Sequence, residues 1–181
     1  ILPGENALAS PVTEAIVMPQ PVWQESRIIG GKTFDIYVQY VTKVTSSIYP
    51  QMTNAGSYPF HFALVKSGTQ SPHPVTFWLH GSGGNFLPGA SDLRTIGDPN
   101  EWIITIDDCL PGSEYITFYY GYSETYDLLS DQNRVPTSGL LCNYTSARVA
   151  HTINWAIRHL PVDSTRTYMI GFSMGASGTM L

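Results

Sequence analysis

Three short apolar runs, residues 75–79 (VTFWL), 102–106 (WIITI) and 168–170 (YMI), constrain this chain more than any other feature of its sequence. Each is nearly continuous in apolar character and stops at a turn residue. A strand buried on both faces reads this way, whereas a strand with one wet face alternates. Upstream, Phe34, Ile36, Val38 and Tyr40 do alternate, and a second strand follows near 60–65. No helical pattern separates those two, so they predict an antiparallel hairpin entering the sheet. Between 145 and 160 the period changes to that of a helix. Val149, Ala150, Ile153, Ala156, Ile157 and Leu160 form one apolar stripe, Asn143 or Thr145 can cap the start, and Pro161 stops the run. Strand, helix, strand at this spacing reads as a crossover in an α/β sheet. Residues 1–30 read as an extended tail and 31–181 as one domain, with no internal repeat.

Composition removes whole classes of function. Only 13% of residues are charged, the net charge is -5, and Lys plus Arg number nine, against about 25% charged residues in an average domain. Such a chain has no electrostatic footprint for a phosphate backbone, so nucleic acid is not an expected partner. No apolar run approaches the roughly 18–20 residues that span a bilayer. Aromatic residues make up 12% of the chain, enough burial to offset chain entropy. Few lysines, many Tyr and Gly, two cysteines able to form one internal pair (Cys109 and Cys142) and the sequon Asn143-Tyr144-Thr145 lean toward a secreted protein.

The chemistry gathers at two loops. Directly after the run 168–170 stands Gly171-Phe172-Ser173-Met174-Gly175. A sharp strand-to-helix turn needs small residues on both sides of the serine, because side chains there would strike the neighbouring strand and helix. Such a turn lifts the Ser173 hydroxyl into the open at the carboxyl end of a strand, where open α/β sheets bind ligands. The second loop is His80-Gly81-Ser82-Gly83-Gly84-Asn85, at the end of the run 75–79. Its glycines let backbone N–H groups turn toward a developing negative charge. Acyl transfer needs two such donors, here Met174 after the serine and Ser82 in the earlier loop.

These segments resemble the amino-terminal part of an α/β-hydrolase. Leu79 to Asn85, Val162-Asp163-Ser164-Thr165-Arg166 and the pentapeptide at 171–175 are similar to segments of the polyhydroxybutyrate-depolymerase and feruloyl-esterase-like group, and Phe118-Tyr119-Tyr120-Gly121-Tyr122 resembles a segment that follows the fourth core strand in related hydrolases. The resemblance implies a mostly parallel sheet with a leading antiparallel hairpin. It also implies a serine esterase working through an acyl-enzyme, with Ser173 as nucleophile and no cofactor or metal. The family's triad runs Ser, then Asp or Glu, then His, and neither partner has its usual place within these 181 residues. The expectation is therefore a domain incomplete at its C-terminal side, with roughly 80–150 further residues, in a continuation or a second chain, carrying Asp and His.

Other readings stay open. His151 and His159 fall off the apolar stripe, and His80 is expected to support its loop rather than act as base. Asp107-Asp108 fits turn capping better than a metal site, since no further ligand stands at metal spacing. Residues 108–143 form a long connection, where two to six residues are usual, and read as a lid or pocket wall. Tyr119, Tyr120 and Tyr122, with Tyr115 and Tyr126, either line a sugar or aromatic acyl pocket or pack internally. Arg134 is the only basic residue there. The expected substrate is an uncharged ester, a feruloyl or acetyl polysaccharide fragment or a hydroxyalkanoate oligomer. A peptidase or thioesterase using the same machinery, and a non-catalytic hydrolase-fold binding module, are the alternatives.

Overall fold

A computed structural model describes residues 20–43, 45, 50–54, 56, 58–89, 92–110, 116–129 and 136–181. Tyr115, Arg134 and the first nineteen residues of the expected tail lie outside the described residues.

The apolar runs become strands. β1 (Val22–Ile29), β2 (Lys32–Val41), β3 (Tyr58–Val65), β4 (His73–Leu79), β5 (Trp102–Ile106) and β8 (Val162–Gly171) form one sheet in the order β1-β2-β3-β5-β4-β8. β6 (Tyr122–Ser123) and β7 (Leu141–Cys142) pair separately. β4 and β5 are buried at every position, as two-faced strands in the middle of a sheet must be. Two helices complete the described elements, α1 (Tyr144–His159) and α2 (Met174–Gly178).

The sheet is mixed rather than mostly parallel. β4 runs parallel to β5 and β8, but β1–β2, β2–β3 and β3–β5 are all antiparallel. The expected hairpin is the β2–β3 pair. Residues 22–29, placed in the tail by sequence, extend it by one strand. β1 joins β2 through Gly30-Gly31, with φ of 56° and 78°, the paired left-handed conformation that a two-residue hairpin turn demands. Its side chains are almost all exposed, so no alternation marked it.

α1 lies across one face of the sheet. Val149, Trp155 and Ala156 pack with Phe62, Leu64, Val75, Phe77, Leu79, Ile104 and Ile106 into the main core. The opposite face holds Phe34, Ile36, Ala63, Trp78, Leu93 and Ile103. The helix is turned from the expected stripe: Ala150 is exposed, whereas Arg148 and Thr152 are inside. Both polar residues are satisfied there. Arg148 donates to the Asp107 carbonyl at 2.7 Å and stacks over the Phe60 ring, while the Thr152 hydroxyl donates to the Arg148 carbonyl. Asn143 is the N-cap residue but makes no side-chain capping bond. The helix stops before Pro161, with Arg158 and His159 complementing its C-terminal dipole. Among the described residues no helix is long and apolar enough to cross a membrane.

Candidate functional site

The site forms where β4 and β8 end side by side. Their parallel register closes at Leu79 opposite Gly171, and Phe172 N–H donates to the Leu79 carbonyl at 3.1 Å, one rung beyond β8. There the chain reverses. Ser173 adopts φ 52° and ψ -113°, a left-handed conformation that costs a non-glycine residue about 1–3 kcal/mol and persists only when its surroundings enforce it. Gly175 N–H bonds the Phe172 carbonyl at 2.8 Å, Ala176 N–H bonds the Ser173 carbonyl at 2.9 Å, and α2 begins.

The flanking glycines are required by contact. A Cβ on Gly171 would come 2.1 Å from the Gly175 carbonyl oxygen, and one on Gly175 would come 2.0 Å from that of Leu79. Backbone therefore touches backbone on both sides of the serine. Ser173 itself is exposed, while Met174 is buried in the main core.

The His80–Asn85 segment lies against this turn. An ideal Cβ on Gly81 would sit 3.4 Å from the Ser173 Cβ and 3.0 Å from the Phe172 ring. The loop then turns through a Gly84 N–H bond to the Gly81 carbonyl. Among the described residues, neither the Ser82 nor the Met174 N–H has a protein acceptor. Beside the loop opens a cleft of about 420 Å³, bounded by Trp78, Asn85, Leu87, Arg94 and Phe172. Ser173 is not in its wall.

His80 anchors the loop from beneath. It is 1% exposed, with Nδ1 2.8 Å from the Gly81 carbonyl and Nε2 3.2 Å from an Asp107 carboxylate oxygen. Burial pushes its pKa down, but the bonds to Asp107 and Gly81 and the charges of Asp107 and Asp108 outweigh that and hold it above the usual value. For Asp107 burial acts upward, and its bonds to His80 and the Cys109 N–H overcome it, so the carboxyl sits below its usual range. The Cys109 sulfur completes a trio with these two, all three ligand atoms lying within 4.8 Å of one another. Such a nitrogen, oxygen and sulfur set suits a borderline divalent ion, yet both ring nitrogens of His80 are already engaged by the protein.

The structure corrects the tyrosine assignment. Tyr119 and Tyr122 are each 1% exposed, so they cannot line an open substrate pocket. The Tyr122 hydroxyl bonds Thr53, and its ring packs with Tyr126 and Tyr144. Tyr119 lies behind the His80 loop. Tyr120 keeps an exposed ring. The described part of the 108–143 connection packs with Val41, Met52 and Phe60, through Leu110, Tyr122, Tyr126 and Leu128, as a wall. Cys109 and Cys142 are free thiols. Asp108 does cap a turn, accepting the Thr117 and Tyr119 N–H groups at 2.8 Å each. Of the histidines, His73 stacks on Trp102 and His61 on Phe86.

The fold of this chain is shared with two proteins of solved structure. The chain superposes with a TM-score of 0.55 on a Bacteroides fragilis protein provisionally assigned as an acetyl xylan esterase, at 17% identity, covering 91% of this chain and 44% of that one. An S-formylglutathione hydrolase from Agrobacterium tumefaciens superposes with a TM-score of 0.54 at 13% identity, covering 86% and 54%. The chain thus spans about half the length of these structures. No protein-family model and no curated protein matches it. At these identities the likeness establishes the shared α/β architecture.

Proposed function

We propose that this chain carries the nucleophile and oxyanion half of a serine hydrolase that cleaves carboxylic esters through an acyl-enzyme. The observation that carries the reading is the pairing of Ser173, exposed and held at positive φ between two backbone-contacting glycines, with the Ser82 and Met174 N–H groups, which have no acceptor among the described residues. The esterase names of the fold neighbours support it. Ser173 Oγ attacks the ester carbonyl and its proton passes to a base. The two N–H groups hold the oxyanion, and the base returns the proton to the departing alcohol. Water then cleaves the acyl-serine by the same route. The base and its orienting carboxylate are proposed to be a His and an Asp outside these 181 residues. The substrate we favour is an uncharged ester of a polysaccharide or a hydroxyalkanoate oligomer.

The decisive experiment uses the full-length protein. Ser173→Ala is expected to reduce hydrolysis of small aryl esters by at least ~10⁴-fold, since nucleophile and base act as a unit; undiminished turnover would end the reading.

A second reading has its own support. Among the described residues none hydrogen-bonds the Ser173 hydroxyl, as in a hydrolase-fold module that binds without catalysis. A fluorophosphonate separates the two, because it labels only an activated serine. Labelling at Ser173 eliminates the binding module, and a full-length chain that stays unlabelled favours it.

A further inference from the structure

Behind the His80 loop lies a brace made of two buried residues that the acyl-transfer reading does not use. The Tyr119 hydroxyl accepts the His80 N–H at 2.8 Å and reaches the Ile106 carbonyl at 3.2 Å. It thereby ties together the ends of β4 and β5 where their ladder stops at Leu79 opposite Ile106. Its ring stands edge-on to the His80 imidazole. The other side of that ring meets α2: a Cβ on Gly178 would come 2.7 Å from the Tyr119 Cβ and 2.8 Å from a ring carbon. One side chain thus touches the first residue of the His80 loop and the helix that follows Ser173.

The conformation that places this ring is itself strained. Phe118 and Tyr119 have φ of 52° and 60°, two consecutive bulky residues in the left-handed region. Asp108 enforces it. Its carboxylate is wholly buried and accepts the N–H groups of Thr117 and Tyr119 together with the Thr117 hydroxyl. Three donors converging on one buried carboxyl group hold this part of the loop in its conformation.

We propose that Tyr119, locked by Asp108, is a positioning residue that sets the His80–Ser82 segment against the Ser173 turn and so fixes the spacing of the two oxyanion donors. The catalytic part of this inference rests on the acyl-transfer reading; the positional part does not. Donors matched to a tetrahedral oxyanion lose their advantage when displaced by a fraction of an ångström, while the ground-state ester, bound elsewhere, is little affected.

The test is Tyr119→Phe in the full-length protein, which keeps the ring and its packing and removes only the hydroxyl. The expected kcat on a small aryl ester is 10- to 100-fold lower with KM within twofold. Affinity for a trifluoromethyl ketone, which forms a tetrahedral serine adduct, should fall by a similar factor. Hydrogen exchange adds a readout free of activity: the His80 amide, having lost its acceptor, should exchange at least tenfold faster while amides in the centre of β4 are unchanged. Unchanged exchange at His80 overturns the proposal whatever the activity. Faster exchange with unchanged kcat overturns its catalytic part. If wild-type protein lacks esterase activity and fluorophosphonate labelling, the acyl-transfer reading has failed, and the exchange result alone still decides whether Tyr119 positions the loop. Should Tyr119→Phe fail to fold, Asp108→Asn supplies the same exchange comparison.

Discussion

At the scale of single residues, His80 shows how one ring can serve a loop in two protonation states. Protonated, it donates from Nε2 to Asp107; neutral, the same nitrogen can accept the Asp108 N–H, also 3.2 Å away. A histidine whose folded pKa is raised contributes stability that is fully present below the unfolded value near 6.5 and is lost as pH climbs through the folded value. Asp107, with its pKa lowered, contributes stability present above about 3.8 and lost as pH falls through its folded value. The pair therefore stabilises most between the two. The melting temperature is expected to decline as pH rises from 6.5, and Asp107→Asn should flatten that decline. Because the Asp108 N–H replaces part of the lost bond, the wild-type slope should be shallower than that of one full proton. An equally steep slope in Asp107→Asn would show that another group is titrating. Sequence suggested a loop-supporting His80, since a histidine between a buried strand and a glycine-rich loop has few other uses. The Tyr119 role was hidden, because nothing local distinguishes a tyrosine whose hydroxyl closes a strand end from one that faces a pocket.

At the scale of elements, the turn from β8 into α2 depends on two backbone contacts that leave no room for a methyl group. Gly175→Ala would drive a Cβ into the carbonyls of Leu79 and His80, 2.0 and 2.8 Å away, and backbone atoms cannot step aside as a flexible side chain can. The expected loss is about 1–3 kcal/mol or more, with Ser173 withdrawn from the His80 loop. Denaturant unfolding checks the first effect and fluorophosphonate labelling of the full-length protein the second. A variant as stable and as reactive as wild type would show that the close approach is not required. The same turn was readable in advance because its requirement for small residues is steric and local. The face of α1 was less readable. Arg148 and Thr152 break an apolar pattern, and only the position of Asp107 and the Phe60 ring explains why an arginine can be buried there. β1 left no mark at all, since an exposed strand needs partners for its backbone rather than a pattern in its side chains.

At the scale of the whole molecule, the sheet order sets an enclosed centre apart from an exposed strand at β1. β4 and β5 are enclosed throughout, whereas β1 is almost wholly exposed. Native-state hydrogen exchange of this chain should therefore rank protection from β4 and β5 down to β1, with amides of the central strands slower by at least ~100-fold. Equal protection in β1 and β4 would mean that the margin is held by something other than its ladder to β2. The three apolar runs read as central strands do pair in parallel with one another, β5 with β4 and β4 with β8; the direction of a further neighbour is what such a run leaves open. A continuous apolar run reports burial on both faces, and burial does not record the direction of the neighbouring strand. β5, read as parallel, is parallel to β4 on one side and antiparallel to β3 on the other.

The β4–β8 pairing also sets a timetable. β4 is complete at Leu79, but its second neighbour is not made until the chain reaches 162–171. At translation rates of about 5–20 residues per second, that interval is on the order of ten seconds. Once residues 102–106 are made, the nascent chain carries an apolar β4 that β5 can pair on one side while the other side stays open until β8 arrives. Such a strand is a template for misjoining with another nascent copy. The yield of native protein in cells should thus respond to chaperone supply and to synthesis rate far more than the stability of the finished fold would suggest.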